Sequence, residues 1–233
     1  MKTAIEVREV SKSYRRRQPV LEHCSLSVPE HCVYGLLGHN GAGKSTLLKM
    51  LAGLLTRDAG DIRVAGFDPE RDPVPLKRVV GYVGVAQRIF DYYTFAEYGR
   101  FLSGFYPGWS DSDFQEYAGR FRLPLDRPIR TFSRGMYTLA MLAGVLCRPC
   151  EVLLLDEPVL GLDVSARREF QEALVLALEE KRAHTVIISS HLVDELELLV
   201  DRIGFLKDGK IELALELDEL RSGVVRVVLP RNI

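Results

Sequence analysis

Gly38-His39-Asn40-Gly41-Ala42-Gly43-Lys44-Ser45-Thr46 decides the reading of this chain. A glycine, any four residues, then Gly43, Lys44 and Ser45 is the spacing of a phosphate-binding loop, whose glycines let backbone N–H groups curl around an anion. Lys44 belongs against terminal phosphates, Ser45 offers its hydroxyl to Mg2+, and a helix starting near Lys44 points its positive end at the same charge. The flanks fit. Val33-Tyr34-Gly35-Leu36-Leu37 reads as a short buried strand, and Leu47, Leu48, Leu51, Leu54 and Leu55 recur at helical spacing, giving the order strand, loop, helix. The loop specifies a nucleotide and leaves open what is done with it.

A second landmark lies downstream. Glu151-Val152-Leu153-Leu154-Leu155-Asp156-Glu157-Pro158 is a continuous apolar run ending in two acids, as for a strand buried on both faces. The C-terminal edge of such a strand is where open α/β sheets place ligands. Asp156 at that edge suits Mg2+, directly or through water, and Glu157, directed to another side, suits polarising a water for attack on a γ-phosphate. Thr185-Val186-Ile187-Ile188-Ser189 is a further buried strand ending at Ser190-His191, where a histidine is either structural or catalytic.

The 233 residues, 47% of them hydrophobic, suffice for one domain with a sizeable core, or one domain carrying an inserted lobe. A formal net charge of −1 gives no general pull towards nucleic acid, so none is expected as a partner. No apolar run approaches the roughly 18 residues that cross a bilayer, and Met1-Lys2-Thr3-Ala4-Ile5-Glu6 lacks a signal-peptide core. A cytoplasmic location is expected, with any membrane span supplied by a separate subunit. The four cysteines read as reduced thiols. Cys147-Arg148-Pro149-Cys150 has redox-pair spacing, but it follows a long apolar helical pattern whose negative end disfavours a thiolate. His23-Cys24 and His31-Cys32 lack zinc-finger spacing.

From the N-terminus, residues 3–10 alternate weakly as a strand, Ser11 to Pro19 turns, and Val20 to Val28 returns as the second arm of an antiparallel hairpin. Arg15, Arg16 and Arg17 in that turn read as solvated; Tyr14 is either packing or an adenine platform. Residues 58–61 read as a turn, residues 62–66 as a strand, and Val79 to Val83 as another. Beyond Arg88 nine of the chain's twenty aromatics fall between Phe90 and Trp109, marking a distinct lobe. Thr94-Phe95-Ala96-Glu97 has the capping-box pattern, Ser110-Asp111 starts a second helix carrying Phe114, Tyr117, Ala118 and Phe121, and Ser133 caps a third. The aromatics are either the lobe's core or, in part, a docking surface. Gly161-Leu162-Asp163 leads into a helix over residues 165–181. Leu192 to Val200 reads as a further helix, Ile203 to Ile211 as a closing hairpin, and Val224 to Leu229 as a last apolar segment.

In this order, and over nearly the whole chain, these segments resemble the nucleotide-binding subunit of the ATP-binding cassette (ABC) transporters. Tyr14 matches the adenine-stacking aromatic, Gly38 to Thr46 the Walker A loop, and Ser133-Arg134-Gly135-Met136 the signature motif. Asp156 and Glu157 match the Walker B aspartate and adjacent catalytic glutamate, Gly161 to Asp163 the D-loop, and His191 the switch histidine. The resemblance implies an α/β fold, a P-loop NTPase (RecA-like) core with an antiparallel β subdomain and an inserted α-helical subdomain. Residues 1–87 and 146–233 would form the nucleotide-binding core with its β subdomain, and residues 88–145 the helical signature subdomain, of a single ABC ATPase domain.

It also implies ATP and Mg2+ as cofactors. Tyr14, Gly38, His39, Asn40, Gly41, Ala42, Gly43, Lys44, Ser45 and Thr46 would bind ATP, Ser45 and Asp156 the metal, and Glu157 and His191 would be catalytic. Ser133, Arg134, Gly135, Met136 and Asp163 would contact ATP held by a second ATP-binding subunit, a copy or a paralogue, joined head to tail. Dimer closure would drive an integral-membrane permease from the cytoplasmic face of the membrane.

Three positions depart from the family pattern. Arg134 replaces the first glycine of the common Leu-Ser-Gly-Gly-Gln signature, which opens a second reading, an ATP-binding dimerisation switch with little or no hydrolysis. Val85 falls at the usual Q-loop glutamine, so Gln87, two residues on, is given no firm Mg2+ role. His31 stands where a glycine is common. Phe132 to Met136, with Phe105 to Trp109 and Leu123 to Asp126, resembles the bacterial drug- and peptide-exporter branch, in which cargo contacts belong to the permease.

Overall fold

Every residue of Val33–Leu37, Val152–Asp156 and Thr185–Ser190 is buried, as parallel strands covered on both faces require. In a computed structural model describing residues 2–15, 18–84, 91–180, 184–192 and 199–216, these segments are β3, β6 and β7. They join β5 (Val80–Gly84), β8 (Arg202–Lys207) and β9 (Lys210–Glu216) in a sheet of order β5-β6-β7-β3-β8-β9, parallel except for β9. The register brings the C-terminal ends of four strands to one edge: Gly84 pairs with Asp156, Asp156 with Ser189, and Leu37 with Ser190. Gly38, Asp156, Glu157 and His191 therefore leave the sheet side by side.

A second, antiparallel sheet has the order β2-β1-β4, from β1 (Thr3–Arg15), β2 (Gln18–Pro29) and β4 (Ala59–Val64). Here the sequence reading needs correction, because β1 runs to Arg15 and Tyr14 lies in a strand, not a turn. The reason is long-range. Asp58 accepts from Lys12 Nζ at 2.8 Å and from Ser13 N at 2.7 Å, holding the end of β1 extended. The Asp58 to Asp61 turn likewise shortens, since β4 starts at Ala59. His31 adopts φ 58, the left-handed region that explains why a glycine suits that position.

α1 (Lys44–Leu51) buries Leu47, Leu48, Met50 and Leu51 beneath the antiparallel sheet, in one cluster with Ile5, Leu21 and Ile62. α2 (Pro73–Val79) has only Leu76 buried, too little for a periodic pattern, and sequence reading missed it. α3 (Phe95–Ser103), α4 (Asp111–Arg120) and α5 (Arg134–Leu146) fall between β5 and β6 and begin at the expected caps. Thr94 Oγ1 accepts from Glu97 N at 3.2 Å while Glu97 Oε2 accepts from Thr94 N at 2.8 Å, the reciprocal capping box. Ser110 and Ser133 each accept from a backbone N–H three residues on at 3.2 Å.

These helices do not keep a core of their own. Phe95 is fully buried against Phe114, with ring centroids 4.5 Å apart, and the same cluster includes Leu153 and Leu155 of β6 and Phe170 of α6 (Val164–Glu179). α5 is apolar on most sides because it packs on both α6 and β5. Phe95→Ala would cost about 3–5 kcal/mol, as for large-to-small changes elsewhere. Among the aromatics expected as core or docking surface, Tyr92 and Phe105 are exposed. Residues 193–198 of the helix expected after His191, Arg16, Arg17, Gln87 and the Val224 to Leu229 segment lie outside the described residues. No helix among the described residues is long and apolar enough to cross a membrane.

Candidate nucleotide site

Gly43 precedes α1 at φ 108, and a Cβ there would stand 2.8 Å from Leu21 Cδ2 and 2.9 Å from Val20 O. Glycine alone lets the loop close against β2. α1 then starts at Lys44, so its unpaired N–H groups and positive end face the hollow of the loop. Residues 39–41 and 43–46 line a cleft of about 500 Å3 together with Tyr14, Tyr82, Asp156 and Glu157. Ala42 is buried below the loop, and Gly38 lies against the Leu206 carbonyl. Tyr14 stands beside the loop with its side 59% exposed and its hydroxyl 3.2 Å from Thr46 Oγ1. An exposed ring face at this position can stack on a base.

The charges at the cleft floor are paired. Lys44 Nζ donates to Gly38 O at 2.7 Å and His39 O at 3.3 Å, and forms a buried ion pair with Glu157 Oε1 at 3.0 Å. The other Glu157 oxygen, Oε2, lies 3.0 Å from His191 Nδ1. Glu157 adopts φ 48, a left-handed conformation that a non-glycine residue holds only when its surroundings enforce it. Here its N–H donates to Ser189 Oγ at 2.9 Å, which pins the turn.

Asp156 receives three hydroxyls. Its Oδ1 accepts from Ser45 Oγ at 2.8 Å and Ser189 Oγ at 3.0 Å, and its Oδ2 from Tyr82 Oη at 3.1 Å. Burial, then the neighbouring Asp156 charge, push the Tyr82 phenol well above its usual range, so it stays a donor. Ser45 Oγ and Asp156 Oδ1 set two hard oxygen donors side by side. That suits Mg2+, which takes one or two protein oxygens and completes its shell with phosphate and water. Among the described residues no three His, Cys, Asp or Glu groups form a closed metal cage, and a nucleotide-borne ion needs none.

The signature and D-loop residues stand elsewhere. Ser133, Arg134, Gly135, Met136 and Asp163 do not line this cleft. Ser133 Oγ caps α5, and Asp163 Oδ1 caps α6 by accepting from Ala166 N at 2.9 Å; both residues are exposed. Gly135 is buried, and a Cβ on it would stand 2.8 Å from Ala166 Cβ. The Arg134 guanidinium occupies the space that a Cβ on Gly161 would need, and Arg134 shares a pocket of about 50 Å3 with Glu157, Tyr137 and Leu160.

Residues 21–160 match the family model described as "ABC transporter". The chain belongs to this family. It is 30% identical to the ABC transporter ATP-binding protein YtrB of Bacillus subtilis, over 96% of this chain and 75% of that protein. It is 32% identical to the lantibiotic transport ATP-binding protein SrtF of Streptococcus pyogenes, over 92% of this chain and 91% of that protein. A solved ATP-binding subunit of an ABC transporter matches it with a TM-score of 0.81 at 28% identity, covering 94% of this chain and 92% of that one. As an ABC transporter ATP-binding domain, the chain has two residues at its acidic site that sequence reading missed. Ser189 precedes the histidine in a Ser-Ser-His run that was readable, whereas nothing local distinguishes Tyr82 from a strand core residue.

Proposed function

We propose that this chain is the ATP-binding and ATP-hydrolysing subunit of a membrane exporter, and that two such cassettes close on ATP. The observation that carries the reading is the Lys44, Glu157, His191 series at the mouth of the loop, with Ser45 and Asp156 beside it. Gly38 to Thr46 and Tyr14 hold the nucleotide, and phosphate oxygens draw Lys44 away from Glu157. Ser45 and Asp156 would hold Mg2+, which when bound would supply positive charge to offset that of the phosphates. Glu157 accepts a proton from a water whose oxygen bonds to the γ-phosphorus. The bond to the β,γ-bridging oxygen breaks, releasing ADP and phosphate. His191 orients the glutamate through Nδ1.

Ser133 to Met136 and Asp163 serve the ATP of a second subunit, a reading supported by their position away from the chain's own cleft and by the exposure of Ser133, Arg134 and Asp163. The chain is one domain, with residues 88–145 as the helical subdomain and residues 1–87 and 146–233 as the remainder. The similarity to a protein named for lantibiotic transport, together with Phe132 to Met136, supports an export role beside a permease on the cytoplasmic face. Arg134 in place of the first signature glycine, with Val85 at the usual Q-loop glutamine, motivates a second reading, an ATP-binding dimerisation switch with little or no hydrolysis.

ATP turnover per chain, measured against protein concentration, tests the motor, and pull-down from native membranes tests the permease. Turnover rising with concentration and a retained membrane protein are expected. ATP-dependent dimers without turnover would select the switch, and capture of no membrane protein would overturn the transporter reading.

A further inference from the structure

We propose that Tyr82 is a positioning residue for the Mg2+ site, an inference that rests on the ATPase reading above. Asp156 is held from three elements: Ser45 on α1, Ser189 on β7 and Tyr82 on β5. The two serines meet Oδ1, and the tyrosine at 3.1 Å meets Oδ2. With both oxygens engaged, the carboxylate plane is fixed and Oδ1 stays turned towards Ser45. A carboxylate with Oδ2 unengaged would rotate about its Cβ–Cγ bond and present the wrong edge to the ion. Partners outside the coordination shell set metal affinity in this way.

The backbone makes room for this bond. Residues 82 and 84 point to the same face of β5, and residue 84 pairs in register with Asp156. A Cβ on Gly84 would collide with the Tyr82 hydroxyl and stand 2.7 Å from its Cζ. Glycine at 84 is what permits the phenol to lie across the strand end. Tyr82 thereby brings a polar contact from β5 to the carboxylate proposed to hold the metal.

The test is equilibrium binding of trinitrophenyl-ATP to the full chain, in EDTA and across a Mg2+ series, for wild type, Tyr82→Phe and Gly84→Ala. Tyr82→Phe keeps the ring, so affinity in EDTA should stay within about twofold of wild type, while the Mg2+ concentration for half-maximal enhancement rises about 10- to 100-fold. Gly84→Ala, with the tyrosine intact but displaced, should shift the Mg2+ midpoint in the same direction. An unchanged midpoint in Tyr82→Phe, or equal losses in EDTA and Mg2+, would overturn the proposal. Wild-type protein that binds no analogue would instead overturn the underlying ATPase reading, and the proposal with it.

Discussion

Lys44 Nζ stands 3.0 Å from Glu157 Oε1 in a buried ion pair, so the ammonium proposed to meet phosphate is already paired with the proposed general base. Nucleotide must compete for that lysine and approach a carboxylate of its own sign. Removing the charge relieves both, so Glu157→Gln should bind ATP severalfold more tightly than wild type. Fluorescence titration with nucleotide measures it. Weaker binding would mean the carboxylate assists capture, and the competition argument would fail.

Tyr14 offers the cleft an exposed ring and a weak tie, its hydroxyl to Thr46. If the ring carries the base, Tyr14→Ala should cost about 1–3 kcal/mol of ATP affinity, the usual worth of base–aromatic stacking. Tyr14→Phe should cost little. Equal losses in the two variants would assign the effect to the hydroxyl.

Arg57 Nη1 and Nη2 donate to the two oxygens of Asp68 at 3.1 and 3.0 Å. Burial opposes ionisation of Asp68, but Arg57 and the N–H groups of Glu70 and Arg71 outweigh it, bringing the carboxyl from 3.8 to about 2. The folded value lies below the unfolded one, so the stabilisation is full above about pH 4 and fades as pH falls towards 2. Wild type should exceed Asp68→Asn by about 2 kcal/mol at neutral pH. Chemical denaturation should show that gap closing between pH 4 and pH 2; a pH-independent gap would contradict the linkage.

Cys147 and Cys150 have redox-pair spacing but are both buried, and burial raises the Cys150 thiol to about 11. Cys147 lies at the C-terminal end of α5. Iodoacetamide at pH 8 should leave both unmodified in the native protein and label both after denaturation. Rapid native labelling would reinstate the redox reading.

The phosphate loop and the paired acids were legible because each is local: glycine spacing shapes an anion cradle, and an apolar run ending in acids marks a sheet edge. The caps at Thr94, Ser110 and Ser133 were legible for the same reason. Tyr82 was not, since its bond depends on β5–β6 register and on Gly84 lacking a side chain. Nor was the strand conformation of Tyr14, fixed by Asp58 from far along the chain. Arg134 shows the same limit. Its motif reads as one that faces a second subunit, and only the fold lays its guanidinium on Gly161 of its own chain.

The most direct test of the central claim is ATP turnover by Glu157→Gln beside wild type in Mg2+, with size exclusion in the same buffer. Retained ATP binding, turnover lower by about 10²–10⁴, the contribution of a general base, and an ATP-trapped dimer are predicted. Turnover at the wild-type rate would remove Glu157 from the chemistry and contradict the account.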